Sequence, residues 1–349
     1  MLRLSAIGDV THALAVVRAI QDQQPGAEIT WIIGKFEHRL VGDVPGVEFV
    51  VFDKSAGLSA YRDLRSTMAG RRFDLLLHMQ VALRANLASL LVGADQRIGF
   101  DPARSRDLHG LFVNRRIAPA AEQHVLDGLM SFLDAAGMSS QAPRWDIPVG
   151  EEDLEFAATH VDPQRPTLVL SPVSSHALRN WRPERYAAAA DYAAAQHGFQ
   201  VILTGGPGRA DREMAQAIQS AANRPMLDLV GKDTLKKLTA LLAASDLVLA
   251  PDTGPMHMAN AVGTAVIGLH AASNPRRSGP YHSLRWCVDR YDDAAKKFRG
   301  SPAAALPWGT KIERPGVMDL VTVEDVKGRL DEWVNASRGQ PGPASGESQ

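Results

Sequence analysis

The sequence has only one cysteine, and it has no strong net charge, no long apolar run and no N-terminal export signal. Each of these missing features would have indicated a particular class of protein. The single cysteine, Cys287, excludes a disulfide framework and a thiolate metal cluster, so a reducing compartment is expected. The formal net charge of −1 provides no field that would draw the chain to nucleic acid. No apolar run approaches the roughly 18 residues of a membrane span. These absences favour a cytoplasmic protein that does not bind nucleic acid.

The usual signatures of phosphate and metal binding are also missing. The sequence contains no GxGxxG, no GxxxxGK[ST] and no Asp-x-Asp, so no metal-held diphosphate is indicated. One glycine-rich turn, "LTGGPGRADRE", follows a strand-like run and is weak evidence by itself. Asp211 or Glu213 in this stretch either reaches a ribose hydroxyl or is a solvated carboxylate that complements the dipole of the next helix. The sequence leaves both interpretations open.

Apolar, β-rich runs alternate with helix-period segments along nearly the whole chain, which predicts α/β layers with parallel strands. Helices are expected at residues 58–69 and 83–91. The strand candidates of the first half are "EITWII", "VEFVVF", "FDLLLHM" and "QRIGF". Those of the second half are "TLVLSP", "QVILTGG", "DLVG", "LVLAP" and "AVIGLHA".

A proline-rich stretch at residues 139–166 is the best candidate for a linker between two domains. We therefore predict Rossmann-like domains at residues 1–150 and 151–336, with parallel sheets that face a central cleft where ligands bind beyond the carboxyl ends of the strands. One continuous large sheet is the alternative. "TVEDVKGRLDEWV", from Thr322, indicates a terminal helix, and the composition of residues 337–349 predicts a disordered tail.

The stretch "LVLAPDTGPMHMANAVG" has the pattern of a buried strand followed by a helix that opens near Asp252. Thr253 suits the cap of that helix and Pro255 suits its first turn. The small residues around Gly254 leave the amides of the helix start open to a phosphate, which would also gain from the helix dipole. An ordinary capped turn explains the same residues.

A second strand end, in "LSPVSSHALRNWRPERY", leads into a serine-rich loop. Ser174, Ser175 and Arg179 place two hydroxyls and a guanidinium where a diphosphate could bind, because arginine contacts such oxygens with two donors at once. A polar loop with a solvated arginine is the alternative.

The first strand–helix junction lies in "SAIGDVTHALAVVRAI", directly after the short apolar opening at residues 1–4. Asp9 follows a strand end and has the chemistry to accept a proton from a hydroxyl. Its position also suits the N-cap of a helix that begins at Val10, and the local sequence by itself favours the cap.

Arginines concentrate in two parts of the first half. These local patches suit an anionic acceptor, although each arginine by itself is also explained as a solvated side chain. The patches comprise Arg62, Arg65, Arg71 and Arg72, and then Arg97, Arg104, Arg106, Arg115 and Arg116.

Together these motifs resemble those of glycosyltransferase family 9, the lipopolysaccharide heptosyltransferases, and most closely the heptosyltransferase I type. Four stretches across residues 1–335 are similar in order and spacing: "RLSAIGDVTHAL", "NWRPERY", "GGPGRADRE" and "LVLAPDTGPMHMANAVGTAVIGLHAASNPRRSGPY". The resemblance implies the GT-B fold, with the acceptor on the first domain and the nucleotide-sugar on the second. It also implies inverting, metal-independent transfer of L-glycero-D-manno-heptose from ADP-heptose to a Kdo sugar of the lipid A inner core, at the inner face of the cytoplasmic membrane and without a cofactor.

The resemblance also assigns roles to residues. It makes Asp9 the catalytic base, with Gly8 bringing the acceptor close to the backbone. It places Ser174, Ser175, Arg179, Asp252, Thr253, Gly254, His257 and Asp211 at the donor, and Gln80, Arg62, Arg65, Arg115 and Arg116 at the acceptor. The residue after Gln80 is Val81, where the family usually has glycine, so the identity of the acceptor is the least determined part of the assignment.

Three other functions remain open at this point. Heptosyltransferase II and related core transferases share the motifs and differ in acceptor loops, which vary most in sequence. A sugar-nucleotide epimerase shares the expected two-domain architecture but needs no acceptor. A non-catalytic nucleotide-binding module would bind ADP without transfer.

Overall fold

The computed structural model describes residues 1–338, which divide into two compact units. Unit 1 contains Met1–Leu154 together with Thr234–Ala240. Unit 2 contains Glu155–Asp233 and the described chain from Leu241 onward. The chain therefore enters unit 2, returns briefly to unit 1 and then completes unit 2.

Unit 1 is built from parallel strands that alternate with helices. Its complete helices are α1 (Ile7–Gln23), α2 (Lys35–Val41), α3 (Leu58–Met68), α4 (Leu83–Ser89) and α5 (Val125–Ala135). Its strands are β1 (Ile29–Gly34), β2 (Val47–Phe52), β3 (Arg72–Leu77), β4 (Gly93–Gly99) and β5 (Arg115–Arg116).

The apolar opening Met1–Leu4 forms a further short strand, which we call the opening strand. The Ile32 amide donates to the Met1 carbonyl at 2.9 Å, and the Leu2 amide donates to the Leu77 carbonyl at 2.9 Å. The opening strand thus lies between β1 and β3, and the strand order is β2–β1–opening strand–β3–β4–β5. This is the Rossmann order, in which ligands bind beyond the carboxyl ends of the two central strands, where the strand order reverses.

Unit 2 repeats this architecture. Its complete helices are α7 (Pro183–His197), α8 (Arg209–Ala221), α10 (Gly254–Ala261), α11 (Pro275–Ser278), α12 (Tyr291–Arg299) and α13 (Val323–Arg338). Its strands are β6 (Thr167–Leu170), β7 (Gln200–Leu203), β8 (Leu227–Asp228), β9 (Leu247–Pro251), β10 (Ala265–His270) and β11 (Val288–Asp289). The remaining helices, α6 (Glu151–His160) and α9 (Leu235–Ala243), are divided between the units.

The six strands of unit 2 form one parallel sheet in the order β8–β7–β6–β9–β10–β11. This is again the Rossmann order, with its switch between β6 and β9. Both central strands are buried along their whole length, as expected for parallel strands covered by helices on both faces. The strands of the two units belong to separate sheets, so the alternative of one continuous sheet is wrong.

Each unit has a core of its own. The core of unit 1 surrounds Leu2, Ile32 and Phe52, and the core of unit 2 surrounds Trp181, Tyr186 and Phe199. The Trp181 indole donates to the Val321 carbonyl at 2.9 Å, so this buried polar group is satisfied. A packed core on each side fixes the strand ends that carry the candidate site residues.

The boundary between the units, Leu154–Glu155, falls within the stretch expected to be a linker, residues 139–166. That stretch is not all loop, because it contains α6, whose first turn carries three carboxylates and whose Asp153 accepts a hydrogen bond from the Gly150 amide at 3.0 Å. Ser337 and Arg338, expected to begin a disordered tail, instead complete α13, and residues 339–349 lie outside the described residues. No helix in the described part of the chain is long and apolar enough to cross a membrane.

Candidate active site

The two central strands of unit 2 bring two predicted segments together. The loop after β6 reaches Arg179 at the end of a short 3₁₀ turn, and β9 ends immediately before Asp252. Arg179 Nη1 lies 3.7 Å from Asp252 Oδ2. These residues lie at the switch of the sheet, the position where Rossmann-like sheets bind their ligands.

Arg179 makes its shortest contacts with Glu313, which the sequence did not single out. Its Nε and Nη2 atoms donate to Glu313 Oε1 at 2.8 and 2.6 Å. Burial would raise the pKa of the Glu313 carboxyl, but the Arg179 hydrogen bond and the nearby charges of Arg179, His176 and Lys311 lower it. Glu313 thus remains ionised and orients the guanidinium, whose Nη1 atom points toward Asp252.

Lys311 adds a second cation to this group. Ile312 between Lys311 and Glu313 is fully buried, and its amide donates to the Ala272 carbonyl at 2.8 Å, which anchors the segment. Burial lowers the pKa of Lys311, and the like charge of Arg179 lowers it further, while the negative charge of Asp252 raises it. In the described chain the Lys311 ammonium has no hydrogen bond or ion pair to a carboxylate. It is therefore available to an anionic ligand.

Asp252 is the most enclosed carboxylate of the site. Burial would raise the pKa of Asp252, but His257 and the charges of His270 and Lys311 outweigh burial and hold this pKa well below its ordinary value. Asp252 Oδ1 lies 3.8 Å from His257 Nε2. The side chain is thus a permanent anion that fixes its neighbours, which does not suit it to accept a proton.

The start of α10 confirms the predicted capping. Thr253 is the N-cap, its Oγ1 atom accepts from the Met256 amide at 3.4 Å, and Pro255 lies in the first turn. Because Pro255 has no N–H and the Met256 amide is already capped, only the Thr253 and Gly254 amides remain at this helix start for a phosphate. Fewer amides are open at this helix start than the sequence indicated, and Arg179 and Lys311 are cations that lie near it.

The two serines of the β6 loop differ. Ser174 is buried, and its hydroxyl donates to the His176 carbonyl at 2.9 Å and accepts from the His176 amide at 3.1 Å. Ser175 is exposed. Ser174 therefore shapes the loop, and the Ser175 hydroxyl is the one presented to solvent.

The glycine-rich turn after β7 donates a hydrogen bond to Asp211, one of the two carboxylates that the sequence offers for a ribose. Asp211 Oδ1 accepts from the Gly206 amide at 2.9 Å, which orders the turn. Glu213, the alternative, pairs with Arg209 at 2.6 Å one helical turn away. The structure thus supplies a local partner for each of these carboxylates.

The switch of unit 1, at the ends of the opening strand and β3, brings Gln80 to the loop before α1. Gln80 Oε1 accepts from the Leu4 amide at 2.7 Å, and its Nε2 atom donates to Ser5 Oγ at 3.4 Å. Gly8 is buried in the first turn of α1. The two segments thought to contact the acceptor are therefore neighbours.

Asp9 is not the N-cap of α1, and that prediction is wrong. The helix begins at Ile7 with Ala6 as its N-cap, and Asp9 Oδ2 accepts from the Ala6 amide at 3.2 Å. A carboxylate at the third helical position commonly accepts a hydrogen bond from the backbone amide of the N-cap residue. The helix therefore starts earlier than expected. Arg3 Nη2 also contacts Asp9 Oδ2, at 2.5 Å. Within the described residues Oδ1 makes no hydrogen bond, which leaves one oxygen of a fixed carboxylate open.

The arginines expected at the acceptor lie elsewhere on unit 1. Arg62 and Arg65, on α3, line one groove, and Arg116, at the end of β5, lines another. Arg115 donates to Gln96 on the neighbouring strand β4. No hydrogen bond or ion pair in the described part of the chain connects these four arginines to Asp9 or Gln80.

Comparison with known proteins decides the family. Residues 61–305 match the sequence profile of glycosyltransferase family 9 (heptosyltransferase). The chain belongs to this family. It is 41% identical over 330 residues to the lipopolysaccharide core heptosyltransferase OpsX of Haemophilus influenzae, covering 95% of each chain. Family membership makes the chain a glycosyltransferase rather than an epimerase or a non-catalytic module.

Solved structures agree on the fold. The family 9 transferase of Veillonella parvula superposes with a TM-score of 0.77 at 20% identity, covering 96% of each chain. Escherichia coli heptosyltransferase WaaC with ADP superposes with a TM-score of 0.70 at 17% identity, covering 95% of this chain and 98% of that one. The chain has their GT-B fold of two Rossmann-like units. In the described residues no group of three or more His, Cys, Asp or Glu side chains is placed to hold a metal ion.

Proposed function

We propose that this transferase moves L-glycero-D-manno-heptose from ADP-heptose to a Kdo sugar of the lipid A inner core, with inversion and without a metal. The observation that carries the proposal is the pair of cations, Arg179 and Lys311, at the switch of unit 2. The 41% identity to a relative named as a lipopolysaccharide core heptosyltransferase supports the class of acceptor.

The donor step requires the bond between the anomeric carbon and the ADP oxygen to break. Negative charge then develops on the diphosphate, and fixed donors and cations aimed at that charge lower the barrier. Arg179, Lys311 and the amides of Thr253 and Gly254 supply this stabilisation. Ser175, in the β6 loop, and Asp211, in the first turn of α8, contact the donor. Glu313 and Asp252 hold the cations in place, with His257 behind Asp252.

The acceptor step requires a base. Asp9 Oδ1 takes the proton of the acceptor hydroxyl, whose oxygen forms the new bond to the anomeric carbon as ADP leaves from the opposite face. Arg3 and the Ala6 amide hold Oδ2, which fixes the carboxylate and leaves Oδ1 without a hydrogen bond within the described residues. Arg3 also donates to the Met79 carbonyl next to Gln80, which couples the base to the loop proposed to bind the acceptor.

The acceptor is proposed to bind on unit 1. Gly8 and Gln80 contact the Kdo sugar, and Arg62, Arg65, Arg115 and Arg116 bind its anionic neighbours at the inner face of the cytoplasmic membrane. Curated relatives at 21–24% identity include heptosyltransferases named 1, 2 and 3, so similarity alone does not select the type. Transfer by a heptosyltransferase II type, to a heptose instead of Kdo, is the second candidate.

The test incubates the full chain with ADP-heptose and a panel of acceptors, Kdo-lipid A and heptosyl-Kdo-lipid A, and identifies products by mass spectrometry. A product on Kdo supports the proposal, and a product only on the heptosylated acceptor contradicts it. Asp9→Asn should lower kcat by about 10²–10⁴-fold, because it removes the base. Asp22→Asn is the matched control, since Asp22 also lies on α1 and pairs with an arginine. Equal activity of the two variants would refute the role of Asp9.

A further inference from the structure

The short helix α11, which follows β10, carries two adjacent arginines, Arg276 and Arg277. They lie in the stretch "NPRRSGPY", which has no role in the donor and acceptor steps proposed above. Arg276 is exposed, and its guanidinium lies 5.3 Å from the centre of the Trp308 ring. Arg277 is half-buried. The two side chains therefore have different surroundings, although one residue directly follows the other.

Arg277 has no counter-ion in the described part of the chain. Its guanidinium makes no hydrogen bond there, and no carboxylate there pairs with it. Two other half-buried arginines of unit 2 are paired, Arg179 with Glu313 and Arg290 with Asp325. A half-buried cation without such a partner is unfavourable, because it has lost part of its hydration without compensation. The Arg277 side chain is therefore suited to an anion that does not belong to the chain.

Lys311 lies beside Arg277 and is a second unpaired cation. The loop that carries Lys311 packs against Arg277, since a Cβ atom on Gly309 would lie 3.7 Å from Arg277 Nε. Burial lowers the pKa of Lys311, and the charge of Arg277 is among those that lower it further. Two like charges held side by side without a counter-ion favour a ligand that carries more than one negative charge.

Helix α11 also contacts the switch of the unit 2 sheet. The hydroxyl of Ser278, the residue after Arg277, donates to Asp252 Oδ2 at 3.4 Å. Asp252 directly follows β9, and the same oxygen lies 3.7 Å from Arg179 Nη1. The residue next to Arg277 thus touches the position at which Rossmann-like sheets bind their ligands.

We propose that Arg277 binds the diphosphate of the nucleotide-sugar donor together with Lys311. The inference rests on the proposed function, which makes that donor ADP-heptose. Each phosphate of such a donor is negatively charged, and Arg277 and Lys311 supply an unpaired positive charge for each. The charge of Arg179, by contrast, is already partly balanced by Glu313.

The contribution of Arg277 grows as the sugar leaves. When the bond between the anomeric carbon and the ADP oxygen breaks, the terminal phosphate gains a further negative charge. A guanidinium can contact two of its oxygens at once, which an ammonium cannot do with the same geometry. Arg277 should therefore contribute to the affinity of the chain for free ADP as well as for the donor.

The test measures the affinity of the full chain for ADP by isothermal titration calorimetry, without acceptor. Arg277→Gln should weaken ADP binding at least tenfold, because hydrogen bonds between charged groups are the strong ones. Arg277→Lys should recover part of the loss, since it keeps the charge but not the planar pair of donors. Arg314→Gln is the matched control, because Arg314 is exposed, follows Lys311 in the same loop and pairs with no carboxylate in the described residues. Its loss should change ADP affinity by less than about twofold.

Adenosine separates a contact with phosphate from a general effect on the fold. It lacks phosphate, so Arg277→Gln should leave its binding unchanged within about twofold, as followed by ligand-observed NMR. Equal losses of ADP and adenosine affinity would indicate that Arg277 only supports the loop of residues 307–316, and would overturn the proposal. Arg277→Met, which keeps an unbranched apolar stem without the charge, is the second variant. Normal ADP affinity in either folded variant also overturns the proposal.

Failure of this inference is distinguishable from failure of the proposed function. A chain that binds ADP equally well with and without Arg277 overturns only the inference. A wild-type chain that does not bind ADP overturns both. Unchanged ADP affinity together with a raised KM for Kdo-lipid A in Arg277→Gln would assign Arg277 to the acceptor and overturn the inference as well.

Discussion

The two units differ in how some of their arginines are paired. In unit 2, Arg179, Arg182 and Arg290 each meet a carboxylate distant in sequence: Glu313, Asp319 and Asp325. In unit 1, Arg71, Arg72 and Arg104 are paired, but five exposed arginines have no ion pair with a carboxylate in the described residues: Arg62, Arg65, Arg84, Arg106 and Arg116. Exposed apolar side chains also concentrate in unit 1: of the ten large ones within residues 1–338, Leu284 is in unit 2 and the other nine are in unit 1.

The difference corresponds to two kinds of ligand. A small anion of fixed shape is best held by side chains whose positions are set before it arrives, and the carboxylates of unit 2 set them. Pairing the arginines of unit 1 in advance would lower the positive charge available to an anionic acceptor. In the proposed function, the same residue type thus recognises the donor by geometry in unit 2 and attracts the acceptor by charge in unit 1.

The largest expected effect is that of the substitution Arg179→Ala. Removing a fixed cation from the leaving-group site should lower kcat/KM for the donor by about 10²–10³-fold, and Arg179→Lys should recover part of this loss. Steady-state kinetics with ADP-heptose measures the effect. Arg182→Ala, which breaks an exposed ion pair on the same loop, should stay within about threefold. A kcat/KM of Arg179→Ala no lower than that of Arg182→Ala would break the comparison.

A second test measures how the stability of unit 1 depends on pH. His78 Nε2 and His109 Nδ1 both lie 2.9 Å from Asn86 Oδ1 in the core of unit 1. Burial first, with the like charges of His109 and Arg97, lowers the pKa of His78 to about 3. Burial and Arg116 lower the pKa of His109 to about 4. Both rings are therefore neutral in the fold at pH 5, whereas an unfolded chain would protonate them below about pH 6.5.

The sign follows from linkage: the unfolded state binds more protons, so the stability of unit 1 falls as the pH drops below 6.5. The loss between pH 7 and 5 should be about 4 kcal/mol for the two rings together, measured by urea unfolding and by hydrogen exchange in unit 1. His78→Gln should reduce the proton uptake on unfolding by about one, while Met79→Ala should destabilise without changing it. In unit 2 the lowered pKa of Asp252 costs stability only below about pH 4, so the reverse order of acid sensitivity would contradict this account.

The smallest expected effect is that of Lys311→Ala. Loss of a cation next to the developing charge of the diphosphate should lower kcat/KM for the donor by about tenfold, since one partly solvated charge contributes on the order of 1 kcal/mol. Lys311→Arg should restore kcat/KM. Lys296→Ala, which breaks an exposed pair with Asp292, is the control. An unchanged kcat/KM in Lys311→Ala would remove Lys311 from the donor site.

Much of the fold could be predicted because parallel strands are buried on both faces and form continuous apolar runs. "VEFVVF" and "LVLAP" coincide with β2 and β9 residue for residue. The helix α6 was not predicted, because the prolines around it outweighed the acidic first turn at residues 151–153. That acidic turn was the feature of the sequence from which α6 could have been predicted.

The candidate site was only partly visible in the sequence. Arg179 and Asp252 stand out because each follows a strand end, where ligands of such sheets bind. Lys311 and Glu313 lie in a loop with no motif, and Glu313 meets Arg179 across 134 positions of sequence, a contact that only the packed fold creates. Arg3 was missed for another reason: it lies in a strand of four residues and its role depends on a helix that starts three positions earlier than expected.

The division of α9 has a consequence for the order of synthesis. Thr234–Ala240 belongs to unit 1, where Lys236 Nζ contacts Asp43 Oδ1 at 2.5 Å. On the ribosome this segment emerges only after β6, β7 and β8 of unit 2 have been made. Unit 1 therefore cannot be completed until three strands of unit 2 have been made, so a nascent chain contains an incomplete unit 1 while unit 2 begins to form.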